Sequence, residues 1–140
     1  MVNPKDLLLK DISVGDTASF SRIFTRNDVL AFARLSGDQN PLHLDEAYAR
    51  TTRFGRRLAH GMLVGSLCST LVGMYLPGKR CLYLSQTLFF RKPVFIGDTV
   101  VVQGVVRAKS ESTGVLEIGV SITKDDEEVL TGIATVQVLI

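Results

Sequence analysis

Within the eleven residues LSGDQNPLHLD, Leu35 to Asp45, the chain places two carboxylates and one of its two histidines. A carboxylate beside an imidazole is ordinary equipment for moving protons near neutral pH, because the imidazole titrates there and the carboxylate can share its proton. Asp38 and His43 stand five residues apart, with Asn40-Pro41 between them. In one continuous helix their side chains would diverge, whereas a proline-set turn can make them converge. A plainer reading competes: Asp38 and Asn40 could satisfy turn amides, as Asp and Asn commonly do, and His43 could be a half-buried structural residue. Spacing alone leaves both readings open.

A second set of residues surrounds the start of the long apolar segment GMLVGSLCSTLVGMYL, Gly61 to Leu76. Gly61 has no side chain to block approach, and an amide at a helix start has no partner within the helix. Such an amide can donate to a developing oxyanion. His60 precedes it and could be a second proton-transfer group, although a structural role beside a helix start fits it better. Ser69 lies two turns further on, where buried serines usually bond back to the backbone. The chain's two histidines and two cysteines show no close metal-ligand spacing. GxGxxG, Walker and GxSxG patterns are absent, and GSLCS on an apolar helix reads as close packing, with Cys68 a small buried apolar residue.

These groups need elements to position them. Thr17 to Thr25 alternates loosely and suits a first strand. The period then changes: Val29, Leu30, Phe32, Ala33 and Leu35 fall at helical spacing, with Asn27 or Asp28 able to cap the start and Gly37 the end. Pro41 forbids continuation and pushes Asn40 toward an extended backbone. Asp45 can cap a second short helix, DEAYARTT. The segment from Gly61 to Leu76 is apolar on every side, the mark of a helix covered on nearly every side, and Pro77-Gly78 ends it. Four strand-like runs follow, CLYLSQTLFFRKPV, DTVVVQGVVRAK, VLEIGVSITK and VLTGIATVQVLI, parted by Gly97-Asp98, Ser112-Thr113-Gly114 and the turn from Lys124 to Glu127. This order predicts an α+β arrangement in which a curved antiparallel sheet wraps a central helix, and its open edge predicts a dimer.

Composition bounds the rest. A chain of 140 residues with 46% hydrophobic and 21% charged residues suits one domain, residues 1–140, with one core. A formal charge of +2 and scattered basic residues argue against a nucleic-acid partner. Two cysteines without CxxC spacing suit a reducing, cytoplasmic setting. The N-terminal run has no secretory pattern, and the most apolar segment falls short of the roughly 18 residues of a membrane span.

Against this background FARLSGDQNPLHLD, Phe32 to Asp45, resembles the hydratase-2 motif of the MaoC-like family, the (R)-specific enoyl-CoA hydratases. AHGML, Ala59 to Leu63, resembles that family's entry into its central helix, and LPGK, LSQTLFF and KPVFIGDTV extend the likeness along nearly the whole chain. The resemblance implies a hot-dog fold, a homodimer, and reversible hydration of a trans-2-enoyl-CoA to an (R)-3-hydroxyacyl-CoA with neither metal nor cofactor. It implies Asp38 and His43 as the catalytic pair, Asn40 as support, the Gly61 amide on the thioester carbonyl, and Ser69 lining the pocket. Arg53, Arg56, Arg57, Arg91 and Lys92 are the basic residues that could meet CoA phosphates. A dehydratase acting on acyl-carrier-protein thioesters stays open. A hot-dog thioesterase would carry a carboxylate on the central helix, and residues 61–76 have none. A non-catalytic partner subunit would be expected to have lost Asp38 or His43. Polyester precursor supply, fatty-acid breakdown and fatty-acid synthesis all use this step.

Overall fold

Thr25, not Asn27 or Asp28, caps the first helix. The computed structural model describes residues 2–140. In it β1 (Thr17–Ile23) leads into α1 (Arg26–Ser36), where the Thr25 hydroxyl accepts from the Asp28 amide and the Asp28 carboxylate accepts from the Thr25 amide. Asp28 thus serves as the third helical residue of a capping box, which satisfies two donors at once. Gly37 closes α1 in the left-handed conformation, at φ 79°, where a glycine pays no Cβ penalty. The chain then makes α2 (Pro41–Leu44), a single turn begun by Pro41, and α3 (Glu46–Thr51), capped by Asp45.

The central helix is present but is neither regular nor covered all round. It comprises α4 (Gly61–Gly65), a break at Ser66, α5 (Leu67–Thr70) and a π-helical turn over Leu71–Tyr75. At the break the Ser66 hydroxyl donates to the Leu63 carbonyl at 2.6 Å, a local bond that competes with the helical ladder. Val64, Leu67, Cys68, Leu71 and Val72 are buried, while Met62, Ser66 and Ser69 form an exposed stripe at helical spacing. The expectation of near-complete cover fails on that stripe.

The strands after the helix form one antiparallel sheet with the first: β2 (Cys81–Gln86), β3 (Phe89–Phe90), β4 (Thr99–Lys109), β5 (Val115–Lys124) and β6 (Glu127–Val138), in the order β1-β4-β5-β6-β2, with β3 also on β6. The run from Cys81 to Val94, expected as one strand, is therefore two. Its break has a local cause: the Thr87 hydroxyl accepts from the Ile133 amide, so a side chain takes the place of a main-chain ladder partner. Asp125 and Asp126 turn the β5–β6 hairpin with φ of 49° and 62°, the pair of positive values that a tight hairpin with the sheet's own twist requires.

The sheet wraps the helix with its alternate residues. Val100, Val102 and Val106 of β4, Leu116, Ile118 and Ile122 of β5, and Leu130, Ala134 and Val136 of β6 join the helix residues in one core. Gly104 falls on that inward face, and a Cβ there would stand 2.7 Å from a Leu71 methyl. Its missing side chain is what lets helix and sheet approach. The result is the hot-dog arrangement, an α+β fold. Among the described residues no helix is long and apolar enough to cross a membrane.

Candidate active site

The turn between α1 and α2 is built by the side chains that it displays. Asp38 Oδ1 accepts from the Asn40 amide at 3.1 Å, and Asn40 Oδ1 accepts from the Leu42 amide at 3.0 Å. Asn40 is thereby the N-cap of α2, whose single turn carries His43. The turn chemistry is thus carried by the residues that the sequence also offered for proton transfer. A helix of one turn has little stability of its own, and here it is tied from outside. The Leu42 carbonyl accepts from the Leu58 amide at 3.3 Å and the Leu44 carbonyl from Arg57 Nη1 at 3.0 Å.

The same stretch orients the imidazole. His43 Nδ1 lies 2.9 Å from the Leu58 carbonyl oxygen. A carbonyl can only accept, so in the neutral ring it is Nδ1 that carries the proton and Nε2 that offers the lone pair. Residues 58 and 59 are themselves anchored, Leu58 by a β-bridge to Phe95 and the Ala59 amide by the Val94 carbonyl at 2.8 Å.

His60, which the sequence favoured as merely structural, belongs to this cluster. It is 1% exposed, and its Nε2 donates to the Asp38 carbonyl at 3.0 Å. Its ring stacks on His43, with centroids 3.9 Å apart, and Phe32 of α1 packs against it at 4.8 Å. Burial holds the His60 imidazole below its ordinary protonation range; the nearby His43 adds to this, and the bond to Asp38 opposes it. A carboxylate oxygen of Asp38, a ring nitrogen of His43 and a ring nitrogen of His60 all lie within 4.8 Å of one another. Three such groups also suit a cation, but one nitrogen of each ring is already engaged by a carbonyl.

Beside this cluster a cleft of about 310 Å³ is lined by His43 and Gly61 together with Phe90, Arg53, Arg91 and Lys92. A Cβ on Gly61 would meet the Phe90 ring at 3.1 Å, so the bare α-carbon leaves the helix start open. Of the five basic residues considered, three line the cleft. Arg57 is spent on Leu44, and Arg56 lies over the Phe95 ring at 4.0 Å. Ser69 is not part of the cleft; it is exposed on the stripe of the central helix, two turns beyond Gly61. A larger depression of about 520 Å³ crosses the outer sheet face, around Gln103, Arg107 and Thr131, and holds no histidine. Buried Cys68 and half-buried Cys81 have thiols pushed up to about 11 by burial, which leaves them poor nucleophiles.

A curved antiparallel sheet wrapped about a broken central helix is the hot-dog fold. The chain belongs to the MaoC-like family: it matches the MaoC like domain over residues 12–127. It is 44% identical over 129 residues to the (R)-specific enoyl-CoA hydratase of Aeromonas caviae, covering 91% of this chain and 96% of that one. It is 37% identical over 128 residues to a mitochondrial 3-hydroxyacyl-[acyl-carrier-protein] dehydratase of Arabidopsis thaliana, covering 89% of this chain and 76% of that one. Among solved structures, an unliganded R-hydratase of Pseudomonas aeruginosa superposes with a TM-score of 0.93 at 35% identity, covering 97% of this chain and 88% of that one.

Proposed function

We propose that the protein is an (R)-specific enoyl-CoA hydratase, catalysing the reversible syn hydration of a trans-2-enoyl-CoA to an (R)-3-hydroxyacyl-CoA. The observation that carries this reading is the separation of Asp38 and His43. Two hydrogen bonds of about 2.8 Å from one water at a near-tetrahedral angle span about 4.5 Å, and the two side chains offer atoms within 4.8 Å. One water can therefore be held by both. Its oxygen adds to C3 while it gives one proton to the pair, with His43 Nε2 available to receive it. The pair returns one proton to C2 from the same side, and both groups end as they began.

Negative charge collects meanwhile on the thioester oxygen. The Gly61 amide, at the start of α4 and in the same cleft, is the donor we assign to it, and such a donor contributes about 3–4 kcal/mol to the barrier. Asn40 supports the pair through the α2 cap. We assign Ser69 to the pocket wall only in a dimer, where a second chain would cover the stripe on which it lies. Water, carboxylate and imidazole supply the chemistry, so the proposal requires neither metal nor cofactor; the substrate brings its own carrier.

The homodimer is part of the proposal. Met62 (58% exposed), Leu84 (51%) and Phe89 (56%) leave apolar surface on the helix stripe and on the β2–β3 side, where β2 ends the sheet. Free thiols at Cys68 and Cys81 fit a cytoplasmic, reducing setting.

A second reading, a 3-hydroxyacyl-thioester dehydratase acting on acyl-carrier-protein substrates, is favoured by the identity to the plant dehydratase. It uses the same residues in the reverse direction. One assay series separates these: wild type, Asp38→Asn and His43→Gln with crotonyl-CoA, followed by loss of the conjugated thioester absorbance, then the same acyl group on acyl carrier protein. Turnover by the wild type with a loss of about 10²–10⁴-fold in each variant is expected. An inactive wild type, or variants at full rate, overturns the reading; preference for the protein carrier selects the second, and chiral analysis of the product tests the (R) assignment.

A further inference from the structure

His60 is spent on no step of the proposed chemistry, yet it touches both groups that perform it. Its Nε2–H holds the Asp38 main chain at 3.0 Å, its face lies 3.9 Å from the His43 ring, and its own peptide leads directly into Gly61. It is almost wholly buried, and among the described residues its Nδ1 has no hydrogen-bond partner. A buried polar atom left unpaired is costly. Such a cost is tolerated where the rest of the side chain has a specific task.

The ring's geometry determines its state. The Asp38 carbonyl can only accept, so the proton of the neutral ring is on Nε2 and Nδ1 is bare. A second proton on Nδ1 would find no acceptor, inside a buried site and against the face of His43. Titratable groups that face the ring are Asp38, from the turn after α1, and His43, on α2; Phe32 of α1 packs against it. Burial pushes the ring the same way, toward the uncharged form.

We infer that His60 is the positioning residue of the site: a buried plate that sets Asp38 through one hydrogen bond and His43 through one ring face, and thereby fixes the gap across which the water is held. This rests on the hydratase reading for its kinetic consequence, but not for its geometry. Asp38 is otherwise an exposed residue in a turn, and His43 sits on a helix of one turn. Small misplacements of such a pair are expensive in rate.

The test uses two substitutions that divide the task. His60→Phe keeps a ring against His43 and removes the donor to Asp38; His60→Gln keeps a donor and removes the ring. We expect His60→Phe to lose about 100-fold in kcat with KM changed less than about threefold, and His60→Gln to recover at least about tenfold of that loss. Thermal melts establish that each is folded. A folded His60→Phe with kcat within about threefold of wild type overturns the inference, as does a parallel collapse of kcat and KM in both variants. Long-range ¹H–¹⁵N spectra of the wild type supply a readout free of activity. They should show His60 with Nε2 protonated and Nδ1 bare in the neutral ring, at about pH 8. A His60 that carries its proton on Nδ1 overturns the inference whether or not the variants fold. A wild type that leaves enoyl-CoA untouched but shows this His60 signature rejects the hydratase reading and upholds the geometry.

Discussion

The His43 and His60 rings lie face to face, with centroids 3.9 Å apart and planes inclined by 28°. One of them borders the reaction cleft and the other is sealed behind it, so the chain's two histidines have opposite relations to solvent while nearly touching. That contrast has a consequence for stability. The folded chain resists protonating His60, whose pKa lies below its ordinary 6.5, mainly because it is buried. Below the unfolded value the unfolded chain binds a proton that the folded chain refuses, so stability contributed by His60 is complete above about pH 6.5 and declines as pH falls. Urea melts across about pH 7.5 to 5 should show this decline, and His60→Gln should flatten it.

Asn40 should matter for both stability and rate. Its side chain caps the single turn that carries His43. Removing a cap of this kind in Asn40→Ala costs about 1 kcal/mol, and Asn40→Ser should retain most of it. Activity should fall in the Ala variant and return in the Ser variant, measured beside chemical denaturation of each.

Gly61→Ala tests the openness of the helix start. The new methyl would press on the Phe90 ring at 3.1 Å, at the amide proposed above to meet the thioester oxygen. The expected result is a loss of about 10²-fold in kcat with little change in melting temperature. Adding Phe90→Leu should restore room but leave the methyl beside the amide, so recovery should be partial.

Leu71→Ala probes the contact between helix and sheet. Leu71 is fully buried and sits where Gly104 has made room for it. Its truncation should destabilise the fold by about 2–5 kcal/mol, as core leucines do, read as a lower denaturation midpoint.

The cysteines should be silent. With both thiols pushed up to about 11, roughly one in a thousand is ionised at about pH 8. Iodoacetamide at that pH should leave activity intact in the native protein and modify both thiols after unfolding, as mass spectrometry would show.

How much of this was legible beforehand follows the range of the forces involved. Local signals carried well. Gly37 marked a helix end, Asp45 marked a cap, and VLEIGVSITK marked a strand, whereas the single turn begun by Pro41 was not among the expected elements. These depend on backbone preferences and on a period of two or 3.6, both written in neighbouring residues. The pairing of Asp38 with His43 was legible as a possibility from its spacing, and as an expectation from the family motif.

Other features required distant parts of the chain to meet. Thr87 interrupts a strand by bonding to Ile133, 46 residues on, which its residue type does not announce, whereas the break at Ser66 is local, through a bond to Leu63. His60 carried one local signal, its place just before Gly61, but its burial against residues 22 and 17 positions earlier could not be seen there. The residue types and spacing determined which groups could do proton chemistry and roughly which elements would carry them. Only the tertiary structure decided which imidazole faces the cleft and which is buried behind it, because burial and stacking arise between segments that the sequence keeps apart.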